Sequence, residues 1–491
     1  MKSPNTNLEE AYRRGVRWSS IGAAGTALLQ LLQMVMFARL AGPAAAGDYA
    51  LAAVLVGFLV PLAEAGLSQA VVQAREVRTE QLAALVWVNF GVGLGVFLLV
   101  LLGGPVLAHW YARPELAGLL TLMGVSLLIT PFGVVQGAWL VRTMRFDIVA
   151  RIEIFSWIGS SLAVVALAGQ GWGPWAMAVG FLLRNGLATG ACLWVSQLDL
   201  RLHSLKTKHF GEIRPLLRFG LLDLGSRWAD YLANSLDKLV VGKMLGAEAL
   251  GWYNLAFTFL MLPTARLGYI ITRTTFPIYA QVQGDPVQVQ AFFGRAARQL
   301  VLVLFPVYAG MVLFSEEIVR LFFGAAWLPA APLFVAFGVA GLVRTLSAPF
   351  PEMIKGIGKP QWWLRTALLL TLAFNGSLLL FLWINPTPVA AAWSRVAAKF
   401  LVEIVLLYAL ARRCGVAFAP TIRFAGKVAL WLLPVAAAVW VVEKIEAIGW
   451  WGVFGLKMVI FVGGVGWGAA RSGLWERDVK NLSQRRKGAK A

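Results

Sequence analysis

Acidic and basic residues recur at intervals of three and four along one otherwise apolar run: Asp223, Arg227, Asp230, Asn234 and Asp237, with Lys238 one position on. On a helix that spacing collects the five on one face. Carboxylates held there can take up and release a proton or another cation, and Asp223 and Arg227 can also pair with each other. The next apolar run carries Arg266 and Arg273, two turns apart on one face. A guanidinium stays charged and offers paired donors in a planar fork, which suits a diphosphate anion. A third run repeats the theme with Arg395, Lys399 and Glu403 at intervals of four. There Lys399 and Glu403 can form an internal pair, while Arg395 and Lys399 can hold phosphate. Arg184 and Arg344 each stand singly in an apolar run, and local pairing is their simpler role.

These groups sit where charge is expensive. Of 491 residues, 59% are hydrophobic and 14% charged, and 21 are Trp. Soluble domains carry about 25% charged residues. The composition is that of a membrane-embedded chain whose indoles settle at two bilayer interfaces. A charge at mid-bilayer costs about 2.5–3.5 kcal/mol on insertion scales, so each must face a partner or a wet cavity. In the seventh run, at about 1.5 Å per residue from Leu217, Asp230 lies roughly 20 Å deep.

Apolar runs of about twenty residues cross a hydrocarbon core of roughly 30 Å. Fourteen such runs are legible, at 18–38, 48–71, 82–107, 117–138, 147–168, 173–195, 217–241, 251–277, 294–314, 329–351, 364–384, 388–410, 424–442 and 449–470. Charge supports the count. Alternate connections carry clusters such as Arg142, Arg145 and Arg151, then Lys355, Lys359 and Arg365, and the last residues are basic as well. About 30 basic residues fall on one side against about 5 on the other, which places both termini in the cytoplasm. The formal charge of +20 is therefore a topology signal and not a nucleic-acid footprint. Arg13, Arg14 and Arg17 before an apolar run resemble a signal peptide, but the run is too long for one and is expected to stay as the first span.

Other chemistries find no support in the spacing. Cys192 and Cys414 give neither a disulfide framework nor a metal pattern, and His109, His203 and His209 fall in connections. No cofactor or metal is expected. No phosphate-binding loop lysine motif occurs, so ATP hydrolysis by this chain is not expected. Gly91 with Gly95 and the pair Gly463-Gly464 read as places where helices pack closely.

The chain also repeats itself. Residues 38–52 read ARLAGPAAAGDYALA and 242–256 read GKMLGAEALGWYNLA, so that Gly42, Ala45, Gly47 and Tyr49 match Gly246, Ala249, Gly251 and Tyr253. Both copies fall between the first two helices of a six-helix block. An even number of helices gives the blocks one orientation, with a pseudo-twofold axis along the membrane normal. The expected architecture is all-α: a six-helix lobe over 1–200, a second over 201–415, an additional helix pair over 416–470 and a basic tail over 471–491 that faces lipid headgroups. Glu64 falls within two positions of Arg266 in the repeat, and the two can form a pair between lobes that closes one side. The first lobe is poorer in charge, with Gln30 and Gln33 in its first span.

Several motifs are familiar: ARLAGPAAAGDYALA (38–52), EAGLSQAVVQ (64–73), Arg142-Thr143-Met144-Arg145-Phe146, GWGPWAMAVG (171–180), GAEALGWYNLA (246–256) and Gly358-Lys359-Pro360. In their order the chain resembles the polysaccharide transport branch of the multidrug/oligosaccharidyl-lipid/polysaccharide exporter superfamily, which holds colanic-acid-type and O-unit flippases. The resemblance implies an inner-membrane flippase for undecaprenyl-diphosphate-linked oligosaccharide, working by alternating access and driven by a proton or sodium ion gradient. It implies no particular transport residue. The candidates remain this chain's own charges: Arg266, Arg273, Arg227, Arg395 and Lys399 for the substrate, and Asp230, Asp237, Asp223, Glu64 and Glu403 for coupling or gating. The rival readings are a small-molecule drug or ion antiporter of the same superfamily and a membrane polymerase or ligase. Short connections on both sides speak against an enzyme.

Overall fold

The computed structural model describes residues 4–64, 71, 79–196, 224, 228, 231–232, 234–265, 278–279, 281–443 and 449–471. Among them all regular structure is helical. Among the described residues, ten helices are long and apolar enough to cross a membrane. The protein is a multi-pass membrane protein. Two compact units are present, Met1–Asn254 and Leu255–Ala491.

The expected first and second spans form one helical run, Pro4–Glu64. Its apolar part, Arg17–Ala63, has 47 residues. At 1.5 Å per residue that is about 70 Å, more than twice the hydrocarbon thickness. Gly42 interrupts it with φ 76° and ψ 177°, a conformation open to glycine, and Pro43 restarts the helix. The matching glycine of the repeat, Gly246, also has positive φ, at 88°, and starts the helix Gly246–Pro263.

The two copies of the repeat meet. A Cβ added at Gly47 would overlap the carbonyl of Ala247, and one at Gly251 would overlap the carbonyl of Pro43. In the sequence match Gly47 corresponds to Gly251 and Pro43 to Ala247. The contact is therefore reciprocal, and it leaves no room for a side chain on either side. Further along, Met144 (φ 59°) and Gly358 (φ 77°) turn the chain alike. The Arg145 amide donates to Leu140 O at 2.9 Å and the Lys359 amide to Ile354 O at 3.1 Å. Helices then begin at Phe146 and Pro360.

The second unit is cored by aromatic rings. Phe293, Phe350 and Phe418 stack edge to face with centroids 4.9, 5.2 and 6.4 Å apart, tying together the helices Pro286–Leu313, Phe350–Gly356 and the start of Ala419–Glu443. Asp285 caps the first of these and accepts from the amides of Val287 and Gln288. The Gln288 side chain and those amides hold its carboxyl below the usual carboxylate range. Lys457 of Gly449–Arg471 pairs with Glu317 of Ser315–Phe322 inside the unit, fixing the last helix to it.

Two glycine readings need correction. Gly91 and Gly95 face open space, and the close approach in that helix is at Gly93, against the carbonyl of Leu127. Of the pair Gly463-Gly464, only Gly464 packs closely, against Val435. Glycine spacing marks a face of a helix but does not say which face meets a neighbour.

Candidate functional site

The helix after Thr387 starts with Pro388, whose missing amide costs nothing at that position, and the Thr387 hydroxyl accepts from the Ala390 amide. It runs as α-helix to Ala398, widens to a π turn over Lys399–Glu403, and resumes as Ile404–Arg413. A π turn adds one residue to the helical register and so re-aims the side chains around it. Here it carries the charged series read from the sequence.

Lys399 and Glu403 form an ion pair of 2.6 Å with both side chains buried. Arg395, 5% exposed, lies one turn before them, its guanidinium 4.7 Å from the centroid of Phe257 and 5.4 Å from that of Phe374. The Lys399 ammonium lies 5.3 Å from the same Phe374 ring. Arg344, at the end of Ala331–Ser347, is within electrostatic reach of Glu403 and Arg395. Its Nε is buried with no hydrogen-bond partner among the described residues. Tyr308 stands beside it, sharing a 2.6 Å hydrogen bond with Thr264 and donating to Leu260 O at 2.7 Å. Gly341 leaves room for the Tyr308 ring.

The cluster thus gathers three cations, one carboxylate and aromatic faces within one unit. A cation on an aromatic face gains about 0.5–2 kcal/mol, more where water is excluded. Breaking a buried ion pair by removing one partner costs about 3–5 kcal/mol. Such a group can hold an anion, or exchange partners among charges that stay desolvated.

The first unit has a sparser counterpart. Arg184, on Pro174–Ser196, lies 5.0 Å from the Trp157 ring centroid and within electrostatic reach of Tyr49 and Glu153. In both units, then, a cation on the helix that begins with Pro174 or Pro388 rests on an aromatic ring of the preceding helix. Gln33 is buried; it accepts from Ser161 at 2.9 Å and donates to the Met177 sulfur at 3.4 Å.

Of the remaining candidates, Asp237 is 5% exposed and accepts a 2.8 Å hydrogen bond from the Tyr253 hydroxyl, which joins the two sides of the turn at Gly246. Asp223, Arg227, Asp230, Arg266 and Arg273 lie outside the described residues, and of Glu64 only the backbone, at a helix end, is described. Arg344, read from the sequence as a single charge suited to local pairing, joins the Lys399 cluster, and the structure adds a pair that the sequence reading passed over, Glu317 with Lys457, a lone lysine inside an apolar run. Trp228 and Tyr231 donate to the carbonyls of Phe58 and Val54 at 2.9 and 2.7 Å. The lysine was a visible signal, because a single charge in a span implies a partner elsewhere.

Known proteins share this fold and sequence. The lipid II flippase MurJ, in an inward closed conformation, superposes with a TM-score of 0.72 at 15% identity, covering 94% of this chain and 99% of that one. An inward-facing multidrug resistance MATE family transporter of the MOP superfamily gives 0.63 at 16% identity, over 81% and 96%. These likenesses establish the fold. The teichuronic acid biosynthesis protein TuaB of Bacillus subtilis strain 168 is 26% identical over 389 residues, 77% of this chain and 80% of that protein. The lipopolysaccharide biosynthesis protein WzxC of Escherichia coli strain K12 is 27% identical over 352 residues, 71% and 70%. Residues 36–332 match the family described as polysaccharide biosynthesis protein, and the chain belongs to that family.

Proposed function

We propose that this protein is a flippase that moves undecaprenyl-diphosphate-linked oligosaccharide from the cytoplasmic to the outer leaflet of the bacterial inner membrane. The observation that carries the reading is the family match over residues 36–332, the greater part of the chain. Relatives named for polysaccharide assembly and transport support it, among them the succinoglycan biosynthesis transport protein ExoT of Rhizobium meliloti strain 1021.

Alternating access between the lobes 1–200 and 201–415 moves the head group, with 416–470 as the additional pair and 471–491 as a cytoplasmic tail. Both termini face the cytoplasm, as the alternation of basic connections supports. Arg395 and Lys399, with Arg227, Arg266 and Arg273, receive the diphosphate. Asp223, Asp230, Asp237, Glu403 and Glu64 respond to a proton or sodium ion gradient or close one side. The protein carries its cargo and makes or breaks no bond in it. The relatives' names favour this over drug or ion antiport.

The test is deletion followed by analysis of lipid-linked saccharides. Full-length oligosaccharide on its carrier should accumulate on the cytoplasmic leaflet while surface polysaccharide disappears. Accumulation of a truncated saccharide would point to an enzyme of assembly, and normal polymer would remove the reading altogether.

A further inference from the structure

Two side-chain amides of the first unit are fully buried and make no hydrogen bond among the described residues. Asn89 lies on Thr79–Tyr111 and Gln136 on Ser126–Arg142, and both are 0% exposed. All four of their polar atoms are buried and unpaired. Buried hydroxyls of the same unit fare otherwise: Ser126 donates to Met123 O at 2.6 Å, Ser156 to Ile152 O at 2.7 Å and Ser160 to Gly180 O at 2.9 Å.

Packing sets both amides in one seam. A Cβ added at Gly93 would meet the Leu127 carbonyl and the Pro131 ring. The Phe132 ring lies 5.7 Å from that of Trp87 and 5.3 Å from that of Phe90. Leu85, Val86, Val135 and Ala138 share one buried cluster. Residues 85–93 therefore run along residues 127–138. Asn89 falls between Trp87 and Phe90 and one turn before Gly93, and Gln136 falls one turn after Phe132, the residue that meets those rings. Pro131 has no amide to give the Leu127 carbonyl one turn back, so a further acceptor faces the seam at Gly93.

Amide groups taken out of water without partners are costly, and inside a membrane protein neither lipid nor bulk solvent relieves them. Orphans of this kind mark a place where something else bonds. The chemistry of the groups selects it. Each side chain offers an acceptor oxygen and a two-donor nitrogen. A cation would take the oxygens and leave both nitrogens unpaired, and an anion would do the reverse. Neither stretch of the seam carries a charged residue. A small neutral molecule that both donates and accepts satisfies every group.

We propose that the seam encloses water hydrogen-bonded to Asn89 and Gln136. Enclosed water makes about three hydrogen bonds, which these amides and the Leu127 carbonyl can supply. The two helices are then joined by a polar link inside an otherwise apolar contact.

The experiment is X-ray radiolysis of the full chain in nanodiscs, in which radicals formed from enclosed water oxidise the side chains beside it. Leu85, Val86 and Val135 are 0% exposed, so water outside the seam does not reach them. They should be oxidised, and heavy-oxygen water added just before exposure should label them more slowly than exposed residues. In the double variant Asn89→Leu, Gln136→Leu, which keeps side-chain bulk and removes the polar groups, that oxidation should be lost. No oxidation of the three in the unmutated protein, or oxidation undiminished in the double variant, would overturn the inference. Thermal unfolding of the single variants reads the same site by sign. Asn89→Leu alone should lower the melting temperature, because it strips a partner from bonded water, whereas removing an unpaired amide would raise it. A rise would count against enclosed water. So would a melting temperature raised by sodium chloride over choline chloride in the unmutated protein and not in the double variant, since the seam would then be a cation site.

Discussion

Lys399 is a lysine almost without water, and its neighbours explain how that is tolerated. Glu403 neutralises it one turn on, and Phe374 lies under both it and Arg395. Lys399→Met alone should destabilise the protein by about 3–5 kcal/mol, because Glu403 is left buried and uncompensated. Lys399→Met with Glu403→Gln should recover most of the loss, as read by thermal unfolding in detergent. Arg395 separates structure from transport differently. Arg395→Lys keeps the charge but gives up the planar face over Phe257 and Phe374, along with the paired donors a diphosphate would use. Surface polymer should fall about tenfold or more, roughly 1.4 kcal/mol, with protein level maintained. Unchanged polymer would take Arg395 out of the substrate path. The spacing of 395, 399 and 403 was legible because helical periodicity is local. That Arg344 and Phe374 join them was not, because they come from other helices and only packing brings them near.

Helices and their interruptions carry the next layer of cause. The break at Gly42 falls in the turn that the repeat predicts, since residues that recur in place are held by the same geometry. Sequence matching pairs positions without saying that they touch, and the contact itself came from the structure. Gly47→Val should push the Ala247 carbonyl away and cost about 1–3 kcal/mol of overpacking or more. The neighbouring Ala46→Ser, half-buried and outside that contact, should be close to neutral by the same thermal measurement. The last helix gives a second test. Lys457→Met strands Glu317 and should loosen Gly449–Arg471 from its unit, and adding Glu317→Gln should restore the melting temperature. The π turn at Lys399–Glu403 had no signal in the sequence. Charges at intervals of four fit an unbroken α-helix equally well.

For the molecule as a whole, hydropathy and the alternation of basic connections carried the multi-pass helical fold. Ten helices are apolar enough to be recognised by composition among the described residues. The helix that holds Arg395, Lys399 and Glu403 falls outside that set because it carries three charges within nine residues, although its run was legible in the sequence at 388–410. If the flippase reading holds, vesicles containing the protein should move a fluorescent polyprenyl diphosphate saccharide between leaflets, and the Lys399→Met, Glu403→Gln double variant should fold yet move it more slowly. Equal rates would make the pair a purely structural one.

The glycine contact between the two copies of the repeat bears on how this chain can change over time. What a new methyl group at Gly47 would strike is a main-chain oxygen, and it belongs to the other copy. A smaller side chain at Ala247 would not remove that oxygen, so the clash is relieved only by a costly shift of the main chain. The same holds in mirror fashion for Gly251 and the oxygen of Pro43. Each half of the gene thus polices one position in the other, and both glycines should persist through divergence that erases the rest of the duplicated motif.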